Sequence, residues 1–160
     1  MPEGGGSAGA ARRLGPWREW LAAFGAGTRP TLLAEIHATV DLERSLVDLG
    51  RPASDVATAA ADPLLGARVV IVERAGDVPL AVAEPSTEGR LAATLARHGE
   101  GAAGWYVRTP LEPGDRLARS RRDRSRPADG PFGRQVLLLG GRPDGPHLIL
   151  VDPAAVPSRP

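Results

Sequence analysis

At 160 residues, with 20 basic and 19 acidic side chains, the chain suits one domain of ordinary size and carries no global field to steer it toward nucleic acid. It has no cysteine, which excludes disulfides, thiol nucleophiles and cysteine-ligated zinc; every basic residue is arginine, which excludes Schiff-base catalysis by lysine. The first residues, MPEGGGSAGAARR, lack an apolar core of signal-peptide length, and no later segment approaches the ~20 apolar residues of a membrane span, so a cytoplasmic protein is expected.

Residues 1–15 are rich in Gly and Ala and offer little apolar area to offset the entropy of ordering, so they are expected to be disordered. Pro16 suits the first turn of a helix, and Trp17, Trp20, Leu21 and Phe24 follow at i, i+3, i+4 and i+7, forming one apolar stripe that Gly25 and Gly27 end. Two tryptophans on such a stripe require burial, against the domain's own sheet or against a partner. TLLAEIHATV (31–40) reads as a strand and DLERSLVDLG as a short helix ended by Gly50, whereas RPASDVATAAADP is a loop or a poor strand. ARVVIVERAG and VPLAVAEPS are strands with a turn at Gly76–Asp77. A helix from about Thr87 to His98 takes Ser86 or Thr87 as its N-cap and Gly99 as its stop.

The plan then repeats. AAGWYVRTP is a strand, EPGDRLARSRR a charged helix or helical turn, RSRPADGPFG a loop, and RQVLLLGG and PHLILVDP are two strands. The tail beyond Asp152 holds three prolines and is expected to be loose. Strand, helix, then strands, twice over, is an internal duplication. It divides the chain into residues 1–28, a disordered start plus helix, and 29–155, a domain with repeat one at about 31–85, a linker helix at 86–98 and repeat two at about 101–153.

Glu84 to Pro110, EPSTEGRLAATLARHGEGAAGWYVRTP, sets an EP strand end, a helix and a Gly-Glu-Gly turn before the next strand. With DLERSL, FGRQVLLLGG and HLILVDP in the same order, it resembles the vicinal oxygen chelate superfamily (glyoxalase and bleomycin-resistance proteins), and methylmalonyl-CoA epimerases in particular. The resemblance covers roughly residues 31–153. It implies an α+β fold in which two βαβββ repeats form a half-closed mixed sheet, here with an N-terminal helix added.

In metal-dependent members of that superfamily each of four strands presents one ligand into the half-closed sheet, so that the ion polarises a carbonyl or binds two adjacent oxygens. Ungapped matching places those positions at Ala34, Ala81, Gly104 and Ile149. None binds a divalent ion through its side chain, so neither metal nor cofactor is expected. His37 takes the first position only if the strand end is three residues shorter, and a lone His does not make a site.

Side chains alternate across a strand, so residues two places from those positions share their face. Ile36 and Ala38, Pro79 and Ala83, Tyr106, and His147 and Val151 are therefore expected to point inward, with His37 and Trp105 facing the helix-covered side. Ala34, Ile36, Ala38, Pro79, Ala81, Ala83, Gly104, Ile149 and Val151 then line a mostly apolar substrate cavity holding one phenol and one imidazole. His147 is the candidate acid/base, being the inward group with an ordinary pKa near neutrality, and Tyr106 the proton donor or anchor. The plainer readings stay open beside these: a half-exposed His147 at its strand start and a Tyr106 that packs with its hydroxyl satisfied. Glu73 and Glu84, acids at strand ends, are expected at the surface.

Between Arg108 and Arg134 lie Arg116, Arg119, Arg121, Arg122, Arg124 and Arg126. They form a solvated loop or, since arginine forks suit phosphates, a contact for CoA or an acidic carrier protein. Nucleic acid ranks last, with 4% aromatic residues and no binding motif. Dinucleotide-binding, Walker-type and GxSxG motifs are absent.

The function expected from residues and resemblance together is a metal-independent isomerase, epimerase or cyclase acting on a largely apolar natural-product or acyl-thioester intermediate. The alternative is a non-catalytic protein that binds and sequesters a small molecule or antibiotic. A third reading, a metal-dependent epimerase acting on acyl-CoA, follows the motif but fails at its ligands. A homodimer is expected in either of the first two.

Overall fold

The computed structural model describes Glu19 and residues 30–109, 124–139 and 142–152. Apart from Glu19, the Trp17 to Phe24 helix lies outside these residues, as do the EPGDRLARSRR helix and the tail beyond Asp152. The first half runs β1 (Thr31–Ala38), α1 (Leu42–Asp48), a 3-10 turn (Ala53–Thr58), β2 (Ala60–Asp62), β3 (Ala67–Val72) and β4 (Leu80–Pro85). Helix α2 (Arg90–His98) leads to β5 (Gly101–Arg108), β6 (Ala128–Gly130), β7 (Gly133–Leu137) and β8 (His147–Val151).

Local chemistry explains the boundaries. The Asp41 carboxylate accepts from the Arg44 amide at 3.0 Å and caps α1, and Gly50 at φ 74° ends the turn that follows. Helix α2 starts later than its sequence suggests. Ser86 and Thr87 do not cap it and lie in the preceding turn, their amides bonded to the Gly66 carbonyl; Gly89 takes the N-cap place without a side-chain bond, and the Leu91 amide is satisfied by the Leu65 carbonyl at 3.1 Å. Two short strands were not legible as such: β2 emerges from the weakly patterned AAADP, and β6 from the loop RSRPADGPFG, each paired with the strand that follows it.

All eight strands form one mixed sheet in the order β2-β3-β4-β1-β5-β8-β7-β6. The order is a palindrome of two equivalent halves. β1 pairs with β4 and β5 with β8 in parallel, every other ladder is antiparallel, and β1 joins β5 at the centre. Ile36 opposite Ala81 in the first half corresponds to Tyr106 opposite Ile149 in the second. The edge strands β2 and β6 come into contact, so the sheet is nearly closed on itself. This is the α+β arrangement of the vicinal oxygen chelate fold.

The inner face carries Ala34, Ile36, Ala38, Val69, Ala81, Ala83, Tyr106, Leu137, Ile149 and Val151 in one buried cluster, to which Leu65 and Leu91 add from outside the sheet. On the outer face Leu42 and Leu46 of α1 pack on Val70, Val72 and Val82, and Trp105 packs among Val107, Leu148 and Leu150. A register shift in the β1/β5 ladder between Ile36 and His37 leaves Ala103 as an extra residue and turns it inward with Tyr106. Among the described residues no helix is long and apolar enough to cross a membrane.

Candidate functional site

The four positions matched to metal ligands do meet on the inner face: Ala34, Ala81 and Ile149 belong to its cluster, and Gly104 sits between Ile36 and His147 on the neighbouring strands. A side chain cannot simply be restored at Gly104, because a Cβ there would overlap the His147 carbonyl oxygen. Among the described residues no group of three or more His, Cys, Asp or Glu side chains could hold a metal ion. The residues present therefore do not fit an ion at this place. His37 does not rescue it, since it lies on the opposite face, in a surface cleft of about 480 Å³ with Arg44, Ser45, Asp48, Leu49, Leu80 and Glu100.

Of the residues expected to line a cavity, Ala34, Ile36, Ala38, Ala81, Ala83, Ile149 and Val151 are each at most 1% exposed. Gly104 is buried and Pro79 half-buried at the mouth of β4, its carbonyl accepting from the Glu35 amide. The sequence pattern suggests an open trough, but the wall is sealed by Leu65, Leu91 and Leu137 packing into the same cluster. Leu33, Leu64, Ile71, Leu95, Phe132 and Leu139 pack against it while remaining partly exposed, with Phe132 tilted against Tyr106 at a ring separation of 5.2 Å.

Both chemical candidates lie inside. Tyr106 is fully buried and donates to Asp62 Oδ2 at 2.5 Å. Burial first, and then the Asp62 charge and that hydrogen bond, raise the phenol well above its usual pKa, so it stays protonated. His147 is 2% exposed, not half-exposed as a strand start suggests, and its Nε2 lies 2.8 Å from Thr94 Oγ1. The Thr94 hydroxyl donates to the Arg90 carbonyl at 3.0 Å, an arrangement in which its oxygen can accept from an Nε2–H of the imidazole. Tyr106 stands opposite Ile149 and His147 two residues earlier on the same strand, so the two candidates are diagonal neighbours on adjacent strands.

Burial, with help from the Arg90 charge, lowers the His147 pKa to about 4, against the opposing pull of the Arg90 carbonyl, Asp144 and Asp62. The imidazole is therefore neutral at pH 7. Since the folded-state value lies below the unfolded one near 6.5, the unfolded chain binds the proton first, and stability present above pH 6.5 is lost as pH falls toward 4. The shift corresponds to on the order of 3 kcal/mol. Urea unfolding of wild type and His147→Gln at pH 7 and pH 4.5 should show a loss in the wild type that the variant lacks; equal losses would reject this account.

Sequence reasoning missed three partners. Asp62 is fully buried and its carboxylate accepts four hydrogen bonds: Oδ2 from Tyr106 and, at 2.9 Å, from Gln135 Nε2; Oδ1 from the Leu64 and Leu65 amides at 2.9 and 3.2 Å. Gln135, also fully buried, shares its face with Leu137 and Leu139, so a polar residue at an inward place was the signal available. Nothing in the sequence marks Thr94 or the weak strand that brings Asp62 inward. Glu73 is exposed, and Glu84 is ion-paired to Arg68 and accepts from the Leu42 amide, away from these groups. Of the arginine cluster, Arg126 is exposed and Arg124 half-buried in a bridge to Leu138, while Arg116, Arg119, Arg121 and Arg122 lie outside the described residues.

Comparison with solved structures places this geometry in a known class, the vicinal oxygen chelate fold. The chain is similar to a variant of Streptomyces coelicolor methylmalonyl-CoA epimerase in complex with 2-nitronate-propionyl-CoA, with TM-score 0.55 and 21% identity over 79% of this chain and 100% of that one. It is also similar to methylmalonyl-CoA epimerase from Mycobacterium tuberculosis (TM-score 0.56, 17% identity, 81% and 95% covered) and to a hypothetical protein from Bacillus halodurans (TM-score 0.56, 15% identity, 82% and 100% covered). At these identities the likeness is one of fold. No protein-family model and no curated protein matches the chain.

Proposed function

We propose that the protein is an epimerase-like isomerase that moves a proton next to a carbonyl without a metal, acting on a largely apolar acyl thioester or related carbonyl compound. The observation that supports this reading most is the pairing of a neutral, buried imidazole with a protonated, buried phenol on one apolar wall. The His147 imidazole takes the proton from the carbon beside the carbonyl. The C–H electron pair becomes the C=C bond of an enolate, and the carbonyl π pair moves to oxygen. That oxygen competes with Asp62 for the Tyr106 O–H, and Asp62 keeps three donors when it yields. Protonation of the same carbon on its opposite face, by solvent or by the imidazolium after the enolate turns over, is an epimerisation; where a C=C bond stands beside the acidic carbon, the dienolate takes the proton at its far end, which is a double-bond isomerisation. Entry of a substrate requires the partly exposed Leu64, Leu95, Phe132 and Leu139 to move aside from the sealed cluster. Fold likeness to structures of methylmalonyl-CoA epimerase agrees with this chemistry without fixing it.

The test is deuterium wash-in at the α-carbon of a racemic α-methyl-branched acyl-CoA, in D₂O with EDTA. Exchange should persist with EDTA, fall about 10²- to 10⁴-fold in His147→Gln and Tyr106→Phe, and show an acid limb near pH 4. Saturable binding of the thioester without exchange would identify a binding protein instead.

A further inference from the structure

Gln135 is the only side-chain carboxamide in the chain, which has no asparagine and one glutamine. It is fully buried. A carboxylate accepts and does not donate, so the contact with Asp62 fixes the amide orientation, with Nε2 toward Asp62 and Oε1 turned away. Oε1 has no hydrogen-bond partner among the described residues. Stranding a buried acceptor costs about 1–3 kcal/mol, and this one belongs to a position where Leu or Val would pack without that penalty. The fold also makes room for it: on β6, a Cβ at Gly130 would run into the Gln135 amide, so glycine is what permits the side chain to lie where it does.

From this geometry we infer that Gln135 Oε1 is the receptor for a hydroxyl of the ligand, which makes the ligand a hydroxylated acyl or carbonyl compound rather than a purely apolar one. The inference rests on the isomerase reading for the position of the carbonyl at Tyr106, while the receptor itself rests on Gln135 and Gly130. A neutral single donor such as an O–H fits. It needs one acceptor, whereas an ammonium brings three N–H groups and a charge into a wall whose one buried carboxylate already accepts four hydrogen bonds. A hydroxyl that meets Oε1 satisfies both groups at once, and an analogue lacking it leaves Oε1 stranded as before.

Because Gln135 is unique, a ¹⁵N-labelled sample gives one side-chain NH₂ signal pair, which reports on this group directly. The probes are lactoyl-CoA against propionyl-CoA and β-hydroxybutyryl-CoA against butyryl-CoA, each pair differing by one hydroxyl. At least one hydroxylated probe should bind about tenfold more tightly than its partner and shift the NH₂ pair, while the deoxy partner leaves that pair in place. Gly130→Ala, which displaces only the end of the Gln135 side chain, and Gln135→Met should both remove the preference. Equal binding within each pair, no binding of any probe at millimolar concentration, or binding of a hydroxylated probe with an unmoved NH₂ pair overturns the proposal. Deuterium wash-in scored on the same samples separates the two readings. Selective NH₂ shifts without wash-in reject the isomerase and keep the receptor; wash-in without hydroxyl preference does the reverse.

Discussion

Asp62→Ala should lose at least about 4 kcal/mol of stability, measured as a fall in the urea midpoint and loss of near-ultraviolet dichroism. Four donors end on this carboxylate: the buried Tyr106 hydroxyl, Gln135 amide and Leu65 backbone amide, and the half-buried Leu64 amide. Each donor stranded in an apolar interior costs about 1–3 kcal/mol, and local rearrangement recovers part of the sum. Removing a buried charge works in the opposite direction, because desolvation of the carboxylate is relieved. The four hydrogen bonds decide the sign, since they already offset most of that desolvation. Asp62→Asn keeps an acceptor for the two backbone amides and should lose about 1–3 kcal/mol. A triple variant, Asp62→Ala with Tyr106→Phe and Gln135→Leu, should recover much of the loss by removing the stranded groups as well. If Asp62→Ala lies within 1 kcal/mol of wild type, the cluster is not what ties these strands together.

That cluster also explains what was legible in the sequence. Period-two alternation correctly sets Ile36, Ala38 and Ala83 on one face and Trp105 on the other, because strand geometry alone fixes parity. The duplication was legible for the same reason, as each half repeats one order of elements. Closure was not. Asp62 lies on β2, Tyr106 on β5 and Gln135 on β7, so their meeting depends on the two sheet edges curling toward each other, which no local pattern encodes. Helix α2 was misjudged at its start because its first turn is satisfied by the Leu65 carbonyl, a tertiary partner, instead of by Ser86 or Thr87. The sealed wall has a similar origin: Leu65 and Leu91 come from a turn and a helix outside the sheet, and strand parity says nothing of them.

Alkaline titration should isolate Tyr106 with unusual clarity, because the chain has one tyrosine and neither lysine nor cysteine. Between pH 9.5 and 11.5 the phenol is then the side chain that ionises in the unfolded chain, with an ordinary pKa near 10. In the folded protein its pKa is raised well above that, by burial first and by Asp62 second. The sign follows from which state releases the proton. A raised folded value means the stabilisation is complete below pH 10 and disappears as pH climbs, at about 1.4 kcal/mol per pH unit. Wild type should therefore lose roughly 2 kcal/mol between pH 10 and 11.5, and its phenolate absorbance should appear only as the chain unfolds. Tyr106→Phe should be nearly flat across the same window, although less stable at pH 8 through the lost bond to Asp62. A phenolate that forms near pH 10 with the fold intact would mean that Tyr106 is open to solvent, and the enclosed wall on which the proposed chemistry depends would go with it.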